Sequence, residues 1–348
     1  MPLSGERNGG SNWGNPHMNK ILVVGAGSWG TAFADYLART LGPVRIWVRE
    51  EEVLRSIREN KENTRFLAGF PLSRNLVAVD DLETEAANAD ILVHAVPSKF
   101  SRGIFERLRA VFDHQVIVNL SKGFEASSLM TLSQLARDVM GDRIISQWVT
   151  ISGPSFAREL AQHHPTAVVA VSHIDTLLED IQQSFSSPHL RIYRNTDLAG
   201  IEVAASMKNV MAIASGIIHG SGYGYNTTAS LITRATVEIA RLGGRLGGRK
   251  ETFWGLAGIG DLMLTCFGPL SRNFQLGVQV ASGRSLNEIE DEMVMIAEGV
   301  ETTRAAYNLA KRLEIEMPIT EKVYEVLFQN KNPRSALQEL MQRRLKPE

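Results

Sequence analysis

The first half of the chain alternates short apolar runs with amphipathic segments. The runs are rich in β-branched residues, and apolar residues in most of the intervening segments recur with the 3.6-residue period of a helix. Continuous apolar strands separated by helices predict a parallel β-sheet that is covered on both faces. Right-handed connections then make it a doubly wound α/β sheet. The predicted strands are ILVV (21–24), VRIWV (44–48), LVAV (76–79), ILVHAV (91–96), VIVNL (116–120), VTIS (149–152) and AVVAV (167–171).

The pattern changes near residue 195, after which helical periodicity dominates and no further strand is predicted. Because no flexible linker marks the change, we expect two closely packed domains: an α/β domain over 18–195 and an all-α domain over 196–348. The polar segment 1–17 is predicted to be a disordered tail. The predicted helices are 198–218, 226–242, 250–256, 272–282, 286–296, 300–313, 320–328 and 333–343.

A glycine motif follows the first predicted strand. Gly25, Gly27 and Gly30 form G-x-G-x-x-G between a buried strand and a helix, which is the context that this motif requires. The first glycine allows a tight turn, the second admits a pyrophosphate against the backbone, and the third lets the helix pack closely on the strand. Amide groups at the helix N-terminus then bind the diphosphate. The motif predicts a Rossmann-type dinucleotide site, and a tight turn without a ligand is the alternative.

The end of the second strand bears on which dinucleotide binds. An acidic residue there hydrogen-bonds the ribose diol of NAD, whereas an arginine accommodates the 2′-phosphate of NADP. Arg49 lies at the strand end and Glu50 follows. Since arginine suits bidentate phosphate recognition, NADP(H) is favoured over NAD(H). A one-residue shift in register would exchange the two side chains and reverse this preference.

The carboxyl ends of later strands carry polar residues, at the edge where open α/β sheets bind ligands. These ends read VPSK (96–99), LSKG (120–123) and SGPSFA (152–157). Lys122 would direct a cation into the ligand crevice, although a solvated loop lysine is the alternative. Gly153, Pro154 and Ser155 predict a rigid turn that presents an N–H and a hydroxyl.

One lysine of the helical half lies in an apolar setting. In IEVAASMKNVMAIASG (201–216), Lys208 has alanines one turn before it, and Met211 and Ala212 one turn after it. Residues three and four apart are neighbours on a helix, so this ammonium has no polar flank. The alternative to a functional role is snorkelling, in which the stem covers apolar surface and the charge reaches water.

Two more polar groups stand out in the helical half. Asp261 follows a glycine-rich apolar stretch, and helical spacing puts Thr265 on the same face. Asp261 as a simple helix cap is the alternative. The SRN sequence (271–273) precedes a predicted helix, where amide groups, the helix dipole and a guanidinium suit an anion. An ordinary N-cap beside a surface arginine is the alternative.

Composition excludes several classes of protein. The chain of 348 residues carries 37 Lys and Arg against 38 Asp and Glu, with no block of like charge, so no nucleic-acid or anionic membrane surface is predicted. Cys266 is the single cysteine, which excludes an intrachain disulfide and a multi-cysteine metal site; no metal is predicted. A single cysteine fits a cytoplasmic protein. The N-terminal segment lacks the apolar core of a secretory signal.

The segment 201–220 is the nearest approach to a membrane span. Glu202, Lys208 and His219 interrupt it. We therefore expect a soluble core helix and no stable membrane insertion.

These segments together resemble the NAD(P)-dependent glycerol-3-phosphate dehydrogenases of the bacterial biosynthetic kind, over about residues 20–330. Several long motifs in the same order make the resemblance specific. They are GAGSWGTA (25–32), LSKGFE (120–125), SGPSFARELA (152–161), MKNVMAIASGI (207–217), GLAGIGDLMLTCFGPLSRN (255–273), AEGVETT (297–303) and EMPIT (316–320).

The resemblance implies a role for each matching residue. Lys208 matches the catalytic lysine, and Lys122 a second lysine that contacts both cofactor and substrate. Ser155 stands where many members carry threonine, and Arg49 where others show histidine, which leaves the cofactor preference open. The implied substrate-binding residues are Lys122, Gly153, Ser155, Lys208, Asn209, Asp261, Thr265, Ser271, Arg272 and Asn273. The implied cofactor-binding residues are Gly25, Gly27, Ser28, Trp29, Gly30, Arg49, Lys122, Ala157, Arg272, Ile296 and Glu298.

The implied reaction is reversible hydride transfer between NAD(P)H and dihydroxyacetone phosphate, which gives sn-glycerol 3-phosphate for glycerophospholipid synthesis. Lys208 is then the general acid of the reduction, and Lys122 stabilises the developing oxyanion. Burial and Lys122 would lower the pKa of Lys208, whereas Asp261 would oppose that shift. The substrate phosphate would lie at residues 271–273.

The family also implies a homodimer and a helical domain like that of 6-phosphogluconate dehydrogenase. Two other functions remain as alternatives. One is a related reductase, such as a β-hydroxyacid dehydrogenase, whose substrate carboxylate would occupy the Arg272 site. The other is a non-catalytic sensor of NADP(H), against which the pair of lysines argues.

Overall fold

All seven predicted strands form in the computed structural model, which describes residues 20–293, 297–345 and 347. The expected disordered tail (1–17) lies outside these residues. An eighth strand joins the seven in one sheet of order β3-β2-β1-β4-β5-β6-β7-β8. The strands are β1 (Ile21–Val24), β2 (Val44–Trp47), β3 (Leu76–Val79), β4 (Ile91–His94), β5 (Val116–Asn119), β6 (Trp148–Ser152), β7 (Thr166–Val171) and β8 (Leu190–Asn195).

The sheet is parallel from β3 to β6, and its strand order reverses direction at β1. In doubly wound sheets, ligands bind at that switch point, outside the carboxyl ends of the strands. The ends of β1, β2 and β4 thus form one part of the ligand-binding edge, and the ends of β5 and β6 form the next part.

Two features of the sheet differ from the prediction. β7 runs antiparallel to β6, while β8 is parallel to β7. The connection between β6 and β7 contains only the five-residue helix Ala157–Ala161, too short to cover a face of the sheet before a parallel return. β8 was not predicted because it alternates buried and exposed positions at the edge of the sheet, whereas the predicted strands were continuous apolar runs.

Helices cover both faces of the sheet, as predicted. One apolar layer packs α1, α2 and α7 on one face, and the other packs α3, α4 and α5 on the opposite face. The helices of this part are α1 (Ser28–Thr40), α2 (Glu51–Asn60), α3 (Leu82–Ala87), α4 (Ser98–Arg109), α5 (Leu132–Met140), α6 (Ala157–Ala161) and α7 (Asp175–Phe185).

The remainder of the described chain is helical, which confirms the predicted all-α second part. The predicted helix 250–256 forms only in part: a 3-10 helix (Lys250–Trp254) is followed by a short π-helix (Leu256–Gly260), in which Gly258 departs from helical geometry with φ −92° and ψ −106°. α12 ends at Glu292, before the undescribed residues 294–296. The helices are α8 (Leu198–Gly220), α9 (Tyr225–Arg245), α10 (Asp261–Phe267), α11 (Arg272–Ala281), α12 (Leu286–Glu292), α13 (Glu298–Arg312), α14 (Pro318–Phe328) and α15 (Pro333–Met341).

α8 is the central helix of this part and packs against α9, α10, α11 and α13. It crosses α11 at very short range. A Cβ at Gly216 would lie 2.0 Å from the Phe274 carbonyl oxygen, and a Cβ at Gly277 would lie 2.2 Å from the Ile213 carbonyl oxygen. α8 is long and apolar enough to span a membrane, but 94% of its apolar window is buried inside the protein. Core packing therefore accounts for its composition.

Candidate active site

The isolated lysine of α8 lies in a buried cluster that joins the two halves of the chain. Lys208 Nζ donates to Asp261 Oδ1 at 2.5 Å and to Thr265 Oγ1 at 3.0 Å. Lys122 Nζ, from the turn after β5, donates to Asp261 Oδ2 at 2.7 Å. The two ammonium groups thus share one carboxylate, with one bound to each oxygen.

Burial rules out snorkelling for Lys208. Its side chain is 10% exposed, and Asp261 at the other end of the ion pair is 1% exposed. The charge therefore ends in a protein-lined cluster rather than in water. Lys122 is 14% exposed at its side chain, so the alternative of a solvated loop lysine is wrong as well.

The cluster sets the protonation of its members. Burial lowers the pKa of Lys208 to about 8; Lys122 acts in the same direction, while Asp261 opposes it. Burial alone would raise the pKa of Asp261, but the two ammonium groups together hold it below its ordinary value. The cluster near neutral pH therefore combines an ionised carboxylate with a lysine that can both give and take a proton.

α10 brings Asp261 and Thr265 to the lysines. Asp261 is the first residue of that helix, whereas the cap position is occupied by Gly260 without a side-chain hydrogen bond. The alternative of Asp261 as a simple cap is therefore wrong. Thr265 lies one turn later and donates its hydroxyl to the Asp261 carbonyl oxygen at 2.6 Å, which leaves the lone pairs of that hydroxyl to accept from Lys208.

The turn after β6 packs against both ends of α10. Gly153 has φ +147°, and a Cβ there would lie 3.0 Å from Val168 Cα. Ser155 donates its hydroxyl to the Gly153 carbonyl oxygen at 3.0 Å. The predicted rigid turn is present, but this hydroxyl is engaged within it. Pro154 approaches Gly260, and the Phe156 ring contacts Gly268; Ala157 then begins α6.

The predicted anion site lies at the start of α11. Ser271 is the N-cap and accepts from the Phe274 N–H, while Asn273 Oδ1 accepts from the Gly299 N–H at 2.8 Å and so holds the start of α13. Glu298 is the first residue of α13. Burial raises the pKa of Glu298, against the opposing charges of Arg272, Lys122 and Lys208.

The starts of α11 and α13 lie near the Lys208 helix, because Gly299 contacts both Asn273 and Asn209. Arg272 itself is exposed. Asn209 is buried beside Lys208, and its carbonyl oxygen lies next to Gly299. Ile296, a predicted cofactor contact, is outside the described residues.

The glycine motif has the form that a diphosphate cradle requires. Gly25 has φ +113°, and a Cβ at Gly30 would lie 2.1 Å from the Gly25 carbonyl oxygen, so no larger residue fits there. A Cβ at Gly27 would meet nothing within 4 Å, so that backbone faces open space. No side chain in the described part of the chain caps α1. The site therefore fits a dinucleotide diphosphate on its backbone amides.

The two residues after Gly27 also make contacts within the α/β part. The Ser28 hydroxyl donates to the Phe66 carbonyl oxygen. The half-buried Trp29 lies against Phe33 of α1, with ring centroids 6.0 Å apart.

The end of β2 carries a charged cluster that sequence reasoning found only in part. Arg49 bonds Glu50 through Nε and Nη2, and its guanidinium lies over the Phe100 ring at 5.2 Å. Lys99 Nζ lies over the same ring at 4.9 Å. The VPSK sequence after β4 pointed to Lys99 as a polar residue at the ligand-binding edge. It could not show that α4 brings this lysine towards the end of β2.

Cys266 lies beside the cluster but is chemically inert. It is 1% exposed, and burial raises the pKa of its thiol to about 12. Since the thiolate is the reactive form, Cys266 is a small core residue.

Comparison with known proteins finds relatives of both parts of the chain. Residues 20–177 match the family model described as NAD-dependent glycerol-3-phosphate dehydrogenase N-terminus, and residues 197–338 match the corresponding C-terminus. The chain belongs to the NAD-dependent glycerol-3-phosphate dehydrogenase family. The two matches fall on the α/β part and on the helical part, and they leave only short segments uncovered.

Individual relatives cover nearly the whole chain. An NAD(P)+ glycerol-3-phosphate dehydrogenase of Citrifermentans bemidjiense is 45% identical over 330 residues, which is 94% of this chain and 98% of that one. One from Geobacter sulfurreducens is also 45% identical, over the same shares. The crystal structure of glycerol-3-phosphate dehydrogenase from Coxiella burnetii matches with a TM-score of 0.90 at 34% identity, covering 94% of this chain and 100% of that chain.

Proposed function

We propose that this protein is a glycerol-3-phosphate dehydrogenase that reversibly reduces dihydroxyacetone phosphate to sn-glycerol 3-phosphate with NAD(P)H. The observation that carries the proposal is the buried Lys208, which shares Asp261 with Lys122. A protein that only senses a nucleotide has no use for a desolvated acid of this kind. The relatives that match over nearly their whole length carry the name of this activity.

Lys208 is the proton donor of the reduction. Bound NAD(P)H supplies the hydride to the carbonyl carbon of the substrate. As negative charge develops on the carbonyl oxygen, Lys208 donates a proton to that oxygen, and in the oxidation it takes the proton back. An ordinary lysine, with a pKa of about 10.4, is a poor proton donor near neutrality; the value of about 8 here is suited to the task.

Lys122 and Asp261 support that transfer. The second ammonium group is preorganised beside the reacting oxygen, where its charge stabilises the developing oxyanion. Asp261 orients both lysines, since each of its oxygens accepts from one of them. Thr265 fixes Lys208 from the same helix.

The substrate phosphate binds at the start of α11. Arg272 supplies the charge there, and the N-terminal amides of the ten-residue helix supply donors. Gly153, Ser155, Asn209, Ser271 and Asn273 complete the proposed substrate site. The proposed cofactor site comprises Gly25, Gly27, Ser28, Trp29, Gly30, Arg49, Lys122, Ala157, Arg272, Ile296 and Glu298.

NADP(H) is the preferred cofactor in this proposal, because Arg49 lies at the end of β2. Arg49→Leu should lower the ratio of kcat/KM for NADPH to that for NADH by about 10- to 100-fold, the worth of a charge-assisted hydrogen bond of about 1.5–3 kcal/mol. Arg55→Leu is the control, since Arg55 is an exposed α2 arginine paired with Glu51. An unchanged ratio in Arg49→Leu would contradict the preference.

We also propose a cellular role and an assembly for the enzyme. The product supplies glycerophospholipid synthesis in the cytoplasm, and the enzyme acts as a homodimer without nucleic acid or membrane insertion. The proposed domains are 18–195 and 196–348. The end of β8 at Asn195 and the start of α8 at Leu198 support that boundary.

Cofactor oxidation tests the proposed reaction. The purified protein should oxidise NADPH or NADH when dihydroxyacetone phosphate is added, and sn-glycerol 3-phosphate should accumulate. Dihydroxyacetone without the phosphate is the matched control and should be a much poorer substrate. Turnover of β-hydroxy acids in its place would move the protein to the related reductases, and cofactor binding with no turnover of any of these compounds would indicate a sensor.

A further inference from the structure

One buried hydroxyl connects the helix that carries Lys208 to the turn that carries Lys122. The Gly123 N–H donates to Ser206 Oγ at 3.0 Å. The Ser206 hydroxyl in turn donates to the Glu202 carbonyl oxygen at 2.7 Å, one turn earlier in α8. Ser206 is 1% exposed. Its proton is thus engaged within the helix, and a lone pair accepts from the turn.

The turn that carries Lys122 also packs closely against α4. Gly123 has φ +143°, and a Cβ there would lie 2.5 Å from Ser98 Oγ, at the start of α4. The backbone next to Lys122 is therefore held between α4 and α8. The hydrogen bond to Ser206 is a polar contact between the turn and α8.

The position of Ser206 makes this restraint relevant to the reaction. Ser206 precedes Lys208 by two residues in α8, and Gly123 directly follows Lys122. The two lysines come from different halves of the chain and meet at Asp261. This side-chain hydrogen bond therefore connects the two segments that deliver the two charges.

We propose that Ser206 is a positioning residue for the reduction, because its hydroxyl docks the Lys122 turn onto the Lys208 helix. The proposal rests on the proposed function for its catalytic consequence. Ser206 touches neither the carboxylate nor an ammonium group in the cluster, and it acts through Gly123.

The electrostatics of the cluster predict the effect of losing this contact. Among the described residues, four titratable groups influence Lys208 or are influenced by it: Lys122 from the turn, Asp261 and Cys266 from α10, and Glu298 from α13. Lys122 lowers the pKa of Lys208, and Asp261 raises it. If the turn moves away, Lys122 no longer lowers the pKa of Lys208, and the Asp261 carboxylate interacts with Lys208 alone. Both changes raise the pKa of Lys208.

Ser206→Ala tests the proposal. Lysine labelled with 13C at Cε allows the pKa of Lys208 to be measured by NMR without turnover, with Lys208→Arg used to assign its signal. In Ser206→Ala the pKa of Lys208 should rise by about 0.5–1 unit. The kcat/KM for dihydroxyacetone phosphate should fall by about 10-fold at neutral pH, because Lys122 is misplaced. The decline of kcat/KM at high pH should move upward with the NMR value.

Thr236→Val is the matched control. Thr236 is a buried residue of α9 whose hydroxyl donates to the Ile232 carbonyl oxygen one turn earlier at 2.9 Å, as Ser206 does within α8. Within the described residues no hydrogen bond joins it to the Lys122 turn, so its loss should leave the Lys208 titration unchanged. The same Lys208 pKa in Ser206→Ala and wild type would overturn the proposal, whatever happens to stability. A raised pKa in a protein that does not reduce dihydroxyacetone phosphate would uphold the positioning and refute the proposed function.

Discussion

Replacing Lys208 by methionine should lower kcat for the reduction of dihydroxyacetone phosphate by about 1000-fold, within the range typical for loss of a positioned acid. Methionine has a similar length but carries no proton to donate. Asp261 keeps its contact with Lys122 at 2.7 Å, so no buried carboxylate is left without a partner. We therefore expect the fold and most of the cofactor affinity to persist. Single-turnover kinetics and cofactor titration of the same variant measure the two effects separately.

Lys208→Arg separates proton donation from charge. An arginine keeps the positive charge but does not deprotonate in proteins, so it should be nearly as inactive as the methionine variant. Lys250→Met, at an exposed position outside the cluster, should retain wild-type kcat. If Lys208→Arg recovered most of the activity, Lys208 would act by its charge and the proton would come from elsewhere.

The sheet was the most predictable part of the fold. Buried parallel strands are continuous apolar runs, so seven of them could be found from the pattern alone. β8 could not, since half of its residues face outward at an edge. The direction of β7 depends on how much helix precedes it, which the pattern of α6 did not reveal.

The residues of the site could be predicted from the sequence, but their arrangement in space could not. Lys208 stands out in sequence because an ammonium among alanines and methionines needs an explanation. Its partner did not stand out in the same way, since Asp261 reads equally well as a helix cap. The two are 53 residues apart, and only the packing of α8 against α10 shows that they meet.

The net pKa of Lys208 also lay beyond sequence reasoning. Burial and Lys122 lower that pKa, whereas Asp261 raises it, and the balance depends on distances. Ser206 was missed for a related reason. A serine inside an apolar helix is unremarkable until the structure shows which N–H its oxygen accepts.

Replacing Asp261 by asparagine should shift the Lys208 titration in the direction opposite to that expected for Ser206→Ala. The carboxylate raises the pKa of Lys208, so its removal should lower that pKa from about 8 by a further 1–2 units, as expected for the loss of an opposite charge within hydrogen-bond distance. The decline of kcat/KM for the reduction should move to lower pH by the same amount, and kcat should fall because neither lysine is held in place.

Stability should fall in the same variant. Removing one partner of a buried ion pair typically costs about 3–5 kcal/mol, and here two ammonium groups lose their shared carboxylate. Lys208 has a lower pKa in the folded state than in the unfolded state. Its burial therefore lowers the free energy of unfolding most when the pH is below both pKa values. This cost shrinks as the pH rises from the folded-state pKa to the unfolded-state pKa. The deficit in chemical denaturation should therefore be larger at pH 6 than at pH 9.

Asp197→Asn is the control for Asp261→Asn. Asp197 is a buried aspartate that caps α8 and accepts from the Arg249 N–H and the Thr252 hydroxyl, and none of the described lysines binds it. Its replacement should lower stability but leave the pH dependence of the reduction where it is in the wild type. An Asp261→Asn variant that kept the wild-type pH profile would mean that the carboxylate only holds the lysines in place. A shift to lower pH instead means that Asp261 keeps Lys208 protonated for the reduction, and that one buried carboxylate sets the pH range in which the enzyme works.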